Sequence, residues 1–100
     1  MAEIKSIVYE PESFGKVYRM PHGKDWPIVY ILKNEAEMYV GQTSNAANRL
    51  RQHYVKPERR ALNTAYLLDD DEFNVSATQD IESWLIQYFA ADNIYTLQNL

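Results

Sequence analysis

The chain has 100 residues, 46% hydrophobic and 24% charged, with no cysteine and a net charge of −4. That size fits one small globular domain, and the missing cysteines exclude a disulfide framework and thiolate metal sites. No apolar run reaches transmembrane length and no signal-peptide core opens the sequence, so a cytoplasmic protein without a membrane partner is expected; its acidity argues against a free-standing, high-affinity nucleic-acid binder.

Pro11, Gly15, Pro21 and Gly23 punctuate the first 26 residues. Ser6-Ile7-Val8-Tyr9 and Lys16-Val17-Tyr18 are short strand-like pieces within this lead-in arm. No chemistry is expected from residues 1–26, and His22 beside Gly23 reads as a loop residue. The remaining residues, 27–100, form the domain proper.

Ile28-Val29-Tyr30-Ile31-Leu32 is β-branched and aromatic, as a buried strand is. Lys33-Asn34-Glu35-Ala36-Glu37 is a polar hairpin connection, and Met38-Tyr39-Val40 returns as the second strand. Gly41 ends it, where a side chain would obstruct a turn or a close approach. Ser44 or Asn45 can cap a helix from Ala46 to Tyr54. Pro57 suits the first turn of a second helix running to Leu68, with Ala61, Leu62, Ala65 and Tyr66 on one stripe. Phe73-Asn74-Val75 alternates like a third strand. Thr78 caps a last helix whose stripe is Ile81, Trp84, Leu85, Tyr88 and Phe89. The expected order is ββααβα, an α+β domain with a small, three-stranded, mainly antiparallel sheet flanked by helices.

Charge is unevenly spread. Arg49, Arg51, Lys56, Arg59 and Arg60 are half of the ten basic residues, and Asp69, Asp70, Asp71 and Glu72 form a compensating acidic run. On charge alone, a solvated basic face with an acidic loop is a better reading than a phosphate-binding surface.

Phosphodiester hydrolysis needs an activated water, positive charge on the phosphoryl oxygens and help for the departing alkoxide. A tyrosine serves as base only where cations stabilise its phenolate, since its free pKa is near 10. Tyr30 and Tyr39 on adjacent strands, faced by Arg49 and His53 one helical turn apart, would give that setting. Taken singly in a chain with eight tyrosines, either one reads better as a half-buried sheet residue. Glu82 borders the apolar stripe of the last helix, near its positive end, and could be a dipole partner or a ligand. One carboxylate with water and phosphate oxygens suits Mg²⁺ and not zinc.

Ile28-Val29-Tyr30, Tyr39-Val40-Gly41, Arg49, His53, Glu82 and Asn99, in that order, resemble the GIY-YIG endonuclease family over roughly Pro27 to Asn99. Arg49 stands ten residues after Tyr39, as the family's helical arginine does. Ile28 replaces the first motif's glycine, and Gln42 stands where some repair relatives carry lysine. The resemblance implies a divalent-metal-dependent endonuclease domain that hydrolyses DNA phosphodiester bonds. Its implied catalytic residues are Tyr30, Tyr39, Arg49, His53 and Glu82, with Glu82 holding one Mg²⁺ or Mn²⁺ ion. Gly41, Arg51, Arg59, Arg60 and Asn99 are the expected substrate-binding residues. DNA is the expected partner, with an attached or separate DNA-binding or helicase module, as in DNA repair or recombination. The alternative is a catalytically inactive module that keeps the fold and binds nucleic acid or protein.

Overall fold

The computed structural model describes residues 2–99, which form nine elements. Strand β1 is Glu3–Val8 and helix α1 is Pro11–Arg19. Strands β2 (Ile28–Lys33) and β3 (Glu37–Thr43) make the hairpin, followed by helices α2 (Ala46–Tyr54) and α3 (Pro57–Arg60). Strand β4 is Thr64–Asp69, helix α4 is Val75–Asp92 and strand β5 is Thr96–Leu97. The class is α+β. The sheet, however, has five strands in the order β1-β4-β2-β3-β5, against the three expected from sequence.

The hairpin forms as its composition dictates, with Asn34 closing it: the Asn34 Oδ1 accepts from the backbone N–H groups of Ala36 and Glu37. Its register sets Tyr30 opposite Gly41 and Leu32 opposite Tyr39. β4 is antiparallel to β2 on one side and to β1 on the other, while the two-residue β5 runs parallel to β3.

Four local expectations are corrected. The helix that begins at Pro57 stops at Arg60, and Thr64–Asp69 is a strand. Its burial alternates, with Ala65, Leu67 and Asp69 inward, so the stripe of Ala61, Leu62, Ala65 and Tyr66 is a helical spacing that arises by chance. Central placement between β1 and β2 satisfies both hydrogen-bonding edges of β4. Second, Phe73–Val75 is no strand. Asn74 caps α4 by accepting from Ala77 N, and the helix starts at Val75. Third, Thr78 therefore lies inside that helix, fully buried, its hydroxyl donating to the carbonyls of Asn74 and Val75. Fourth, Lys16-Val17-Tyr18 is helical. Pro11 opens α1 at its first turn, and Phe14 and Val17 turn inward one turn apart.

The sheet is covered on both faces. Tyr30, Leu32, Ala65 and Leu67 meet Phe14, Val17, Ala47 and Leu50 of α1 and α2 in the larger core. On the other face Met38, Val40 and Leu97 pack against Leu85, Ile86 and Phe89. Of the stripe expected on α4, Trp84 and Tyr88 are 62% and 53% exposed and stack on each other outside the core. Apolar residues cover more than half of the helix circumference from Ile81 to Phe89, wider than one buried stripe, and contact with β3 selects Ile86 in place of Trp84 and Tyr88. The acidic run is not uniformly solvated either: Asp69 ends β4, is buried, and pairs with Lys5 at 3.1 Å and His22 at 3.0 Å.

Candidate active site

Antiparallel pairing places Tyr30 across from Gly41, and the phenol ring lies over that glycine. A Cβ at position 41 would overlap the Tyr30 Cζ and Oη atoms. The second tyrosine follows from the same strand: Tyr39 lies two residues before Gly41 and so projects from the same face. The rings of Tyr30 and Tyr39 are nearly parallel, 16° apart with centroids 6.2 Å apart.

Helix α2 brings the histidine. Asn45 caps it by accepting from Asn48 N, which fixes its start and therefore its face. His53 points inward and is 5% exposed, while Arg49, one turn earlier, is exposed. The His53 Nε2 lies 2.7 Å from the Tyr30 hydroxyl, and its ring is 4.6 Å from that of Tyr39. Three of the expected residues are thus in mutual contact.

Burial pushes the Tyr30 phenol well above its ordinary pKa, and the Tyr39 hydroxyl adds to the rise. Arg49 and Arg59 pull it down, and Glu82 pushes it up. Arg49 comes from the α2 layer and Glu82 from the α4 layer, so charges from both faces of the sheet reach this one hydroxyl. His53 is pushed down to about 4, first by burial and then by Arg59, Arg49 and Lys56. At neutral pH a protonated phenol therefore meets an uncharged imidazole. Such a contact can pass a proton in either direction.

Glu82 is half-buried and has no ion-pair or hydrogen-bond partner among the described residues. Those residues also contain no group of three or more His, Asp or Glu side chains that could hold a metal ion. A cage of protein ligands, as structural zinc or calcium requires, is not formed by them. A hydrated Mg²⁺ needs only one or two carboxylates and retains most of its water, and a lone, unpaired Glu82 fits that chemistry.

The remaining expected residues separate into two groups. Arg51 and Arg60 are exposed, as phosphate contacts must be. Arg59 instead turns inward, with its guanidinium carbon 4.2 Å from the centroid of the Tyr39 ring. Asn99 is engaged by backbone: its Nδ2 donates to the Val40 carbonyl at 2.6 Å and its Oδ1 accepts from Val40 N at 3.5 Å. It extends the pairing of β5 along β3, next to Gly41. Gln98, absent from the sequence-based set, donates to the Glu58 carbonyl and to Glu37 and accepts from Arg59. No local pattern marks Gln98, because its partners come from β3 and α3.

Comparison with known proteins places the domain in a family. The family model described as the GIY-YIG catalytic domain matches residues 27–93. No curated protein and no solved structure matches the chain significantly. The matched stretch is about two thirds of the chain and runs from the start of β2 to the end of α4, enclosing Tyr30, Tyr39, His53 and Glu82. The matched stretch includes the tyrosine pair stacked beside His53, and on that match the chain belongs to the GIY-YIG family.

Proposed function

We propose that this domain is a divalent-metal-dependent endonuclease that hydrolyses DNA phosphodiester bonds. The observation that carries the reading is the 2.7 Å contact between the Tyr30 hydroxyl and His53, made where Arg49 and Glu82 both act electrostatically on the phenol. As Tyr30 takes a proton from the attacking water, its own proton passes to His53 Nε2, which is uncharged and in line to receive it. Arg49, exposed and one turn from His53, binds the scissile phosphate and offsets the charge that develops on its oxygens. Tyr39 holds the phenol and imidazole in place through ring contacts on both. A divalent ion held by Glu82, Mg²⁺ or Mn²⁺, would supply further positive charge to the phosphoryl and leaving oxygens. Arg51 and Arg60 extend the contact along the DNA backbone.

The same proposal makes the domain the nuclease module of a larger protein or complex, in a cytoplasmic setting, with a DNA-binding or helicase module supplying affinity. Its net charge of −4 supports this, because phosphate-neutralising groups are few. Among the described residues no helix is long and apolar enough to cross a membrane.

One observation favours a second reading. The raised phenol and depressed imidazole leave no strong base in the free domain, as suits a catalytically inactive binding module. Nicking of supercoiled plasmid with Mg²⁺ or Mn²⁺ separates the two. Conversion to open circle by the wild type, lost in Glu82→Gln, is the nuclease outcome. DNA retention without nicking under either metal leaves the binding module.

A further inference from the structure

α3 is a single turn with no fully buried residue, yet the Arg59 side chain is only 11% exposed. One face of its guanidinium lies on Tyr39, and Nη1 donates to Gln98 Oε1 at 2.8 Å. Nε is buried and has no hydrogen-bond partner among the described residues. Glu58, at 3.8 Å, is the carboxylate beside it, and that group is 57% exposed.

A guanidinium keeps its charge at any pH of interest, and burying one is costly without a close, well-shielded counter-ion. The solvated Glu58 provides little of that. What the burial secures is position. The Gln98 amide is fixed on three sides: its backbone N–H donates to the Met38 carbonyl at 2.8 Å, and its Nε2 donates to the Glu58 carbonyl at 2.7 Å and to Glu37 at 3.2 Å. Its oxygen is thereby aimed at Arg59. The guanidinium is pressed flat on a ring that itself touches both Tyr30 and His53.

We propose that Arg59 is a positioning residue of the tyrosine pair, an internal cation locked by Gln98 against the Tyr39 ring, and that it makes no contact of its own with the DNA backbone. This rests on the nuclease reading above and replaces the expectation from sequence that Arg59 binds phosphate. A fixed positive charge there favours the Tyr30 phenolate and disfavours a charged His53, and Arg59 acts in those directions on both groups. Its stack on Tyr39 keeps the phenol and imidazole aligned. A bidentate phosphate contact needs both fork nitrogens free, and here Tyr39 covers one face of the guanidinium while Gln98 holds Nη1.

The test uses the 100-residue chain with Arg59→Met, which keeps bulk over Tyr39 without charge, and Arg59→Lys, which keeps charge without the fork. The chain has two histidines, so proton NMR can follow the His53 ring through a pH titration, with His22→Gln to identify its signal. In Arg59→Met the His53 midpoint is expected to rise and nicking to fall by about 10²-fold. The salt slope of DNA binding should stay at the wild-type value. In Arg59→Lys the midpoint should stay near wild type while nicking remains impaired. An unmoved midpoint in Arg59→Met overturns the proposal. So does a salt slope reduced by about 1, the mark of a lost phosphate contact. Wild-type nicking by Arg59→Lys would show that position is irrelevant. If the wild type itself cuts no DNA, the nuclease reading fails, and the His53 titration still decides whether Arg59 acts on the pair.

Discussion

The ring of Tyr30 occupies the space that a Cβ on Gly41 would need, so the glycine of the second motif is a condition for the tyrosine of the first. The two face each other across the β2–β3 ladder, and Tyr30 reaches His53 only by lying flat over that bare backbone. Gly41→Ala should lift the ring away from His53. Overpacking of this kind costs about 1–3 kcal/mol, so the domain should remain folded with a lowered melting temperature while cleavage is lost. Thermal denaturation beside a plasmid nicking assay checks this, and wild-type nicking by Gly41→Ala would contradict it.

The depressed His53 makes stability depend on pH. Unfolded, a histidine binds its proton below about 6.5, whereas in the fold His53 does so only near 4. Between these values the unfolded chain holds more protons, so this contribution is fully present above pH 6.5 and is lost as pH falls toward 4. Urea melts across that window should show a steeper loss for the wild type than for His53→Gln. Parallel curves for the two proteins would mean that His53 is not held neutral.

Burial, not hydrophobicity, should rank core substitutions. Leu50 is fully buried against the sheet, and Leu50→Ala should cost about 2–5 kcal/mol. Trp84 is the larger residue but stands in solvent, so Trp84→Ala should cost within about 1 kcal/mol. Denaturant midpoints decide the order. A Trp84→Ala protein as unstable as Leu50→Ala would place that indole in a core it does not occupy here.

These cases mark what the sequence discloses about this molecule. The β2–β3 hairpin and α2 were legible because each is encoded locally: a β-branched run, a polar turn, a cap at Asn45. Tyr30, Tyr39 and His53, which the fold brings into contact, stand out in the sequence by their order and spacing. Strand β4 was hidden because Thr64–Asp69 can satisfy either a helical or an alternating pattern, and its strand identity depends on partners in β1 and β2. Likewise, Glu3–Val8 becomes part of the sheet through its pairing with β4, from some sixty residues away. Arg59 resembled its exposed neighbour Arg60 in every local respect. Its inward turn is set by Gln98 and Tyr39, which short-range reading cannot connect.

Affinity should be low for the domain alone. With a net charge of −4, dissociation constants should fall in the ~10⁻⁴–10⁻⁶ M range of non-specific binding. Replacing the exposed Arg51 and Arg60 together by Ala should weaken binding to all sequences alike and flatten the salt dependence, because such residues touch phosphate and not base edges. Fluorescence anisotropy at several salt concentrations measures both effects. Nanomolar, salt-insensitive binding by this chain would overturn the prediction.

In the proposed reaction Tyr30, joined to His53, is the group through which a water proton leaves during phosphodiester cleavage. Single-turnover cutting of an end-labelled DNA, with saturating protein and Mg²⁺ or Mn²⁺, tests it in Tyr30→Phe, which keeps the ring over Gly41 and removes only the hydroxyl. The expected rate is at least about 10²-fold below wild type, in the range for loss of a general acid–base group, with DNA binding nearly unchanged and the melting temperature lowered by several degrees for the lost buried hydrogen bond. Cleavage by Tyr30→Phe at the wild-type rate would contradict it.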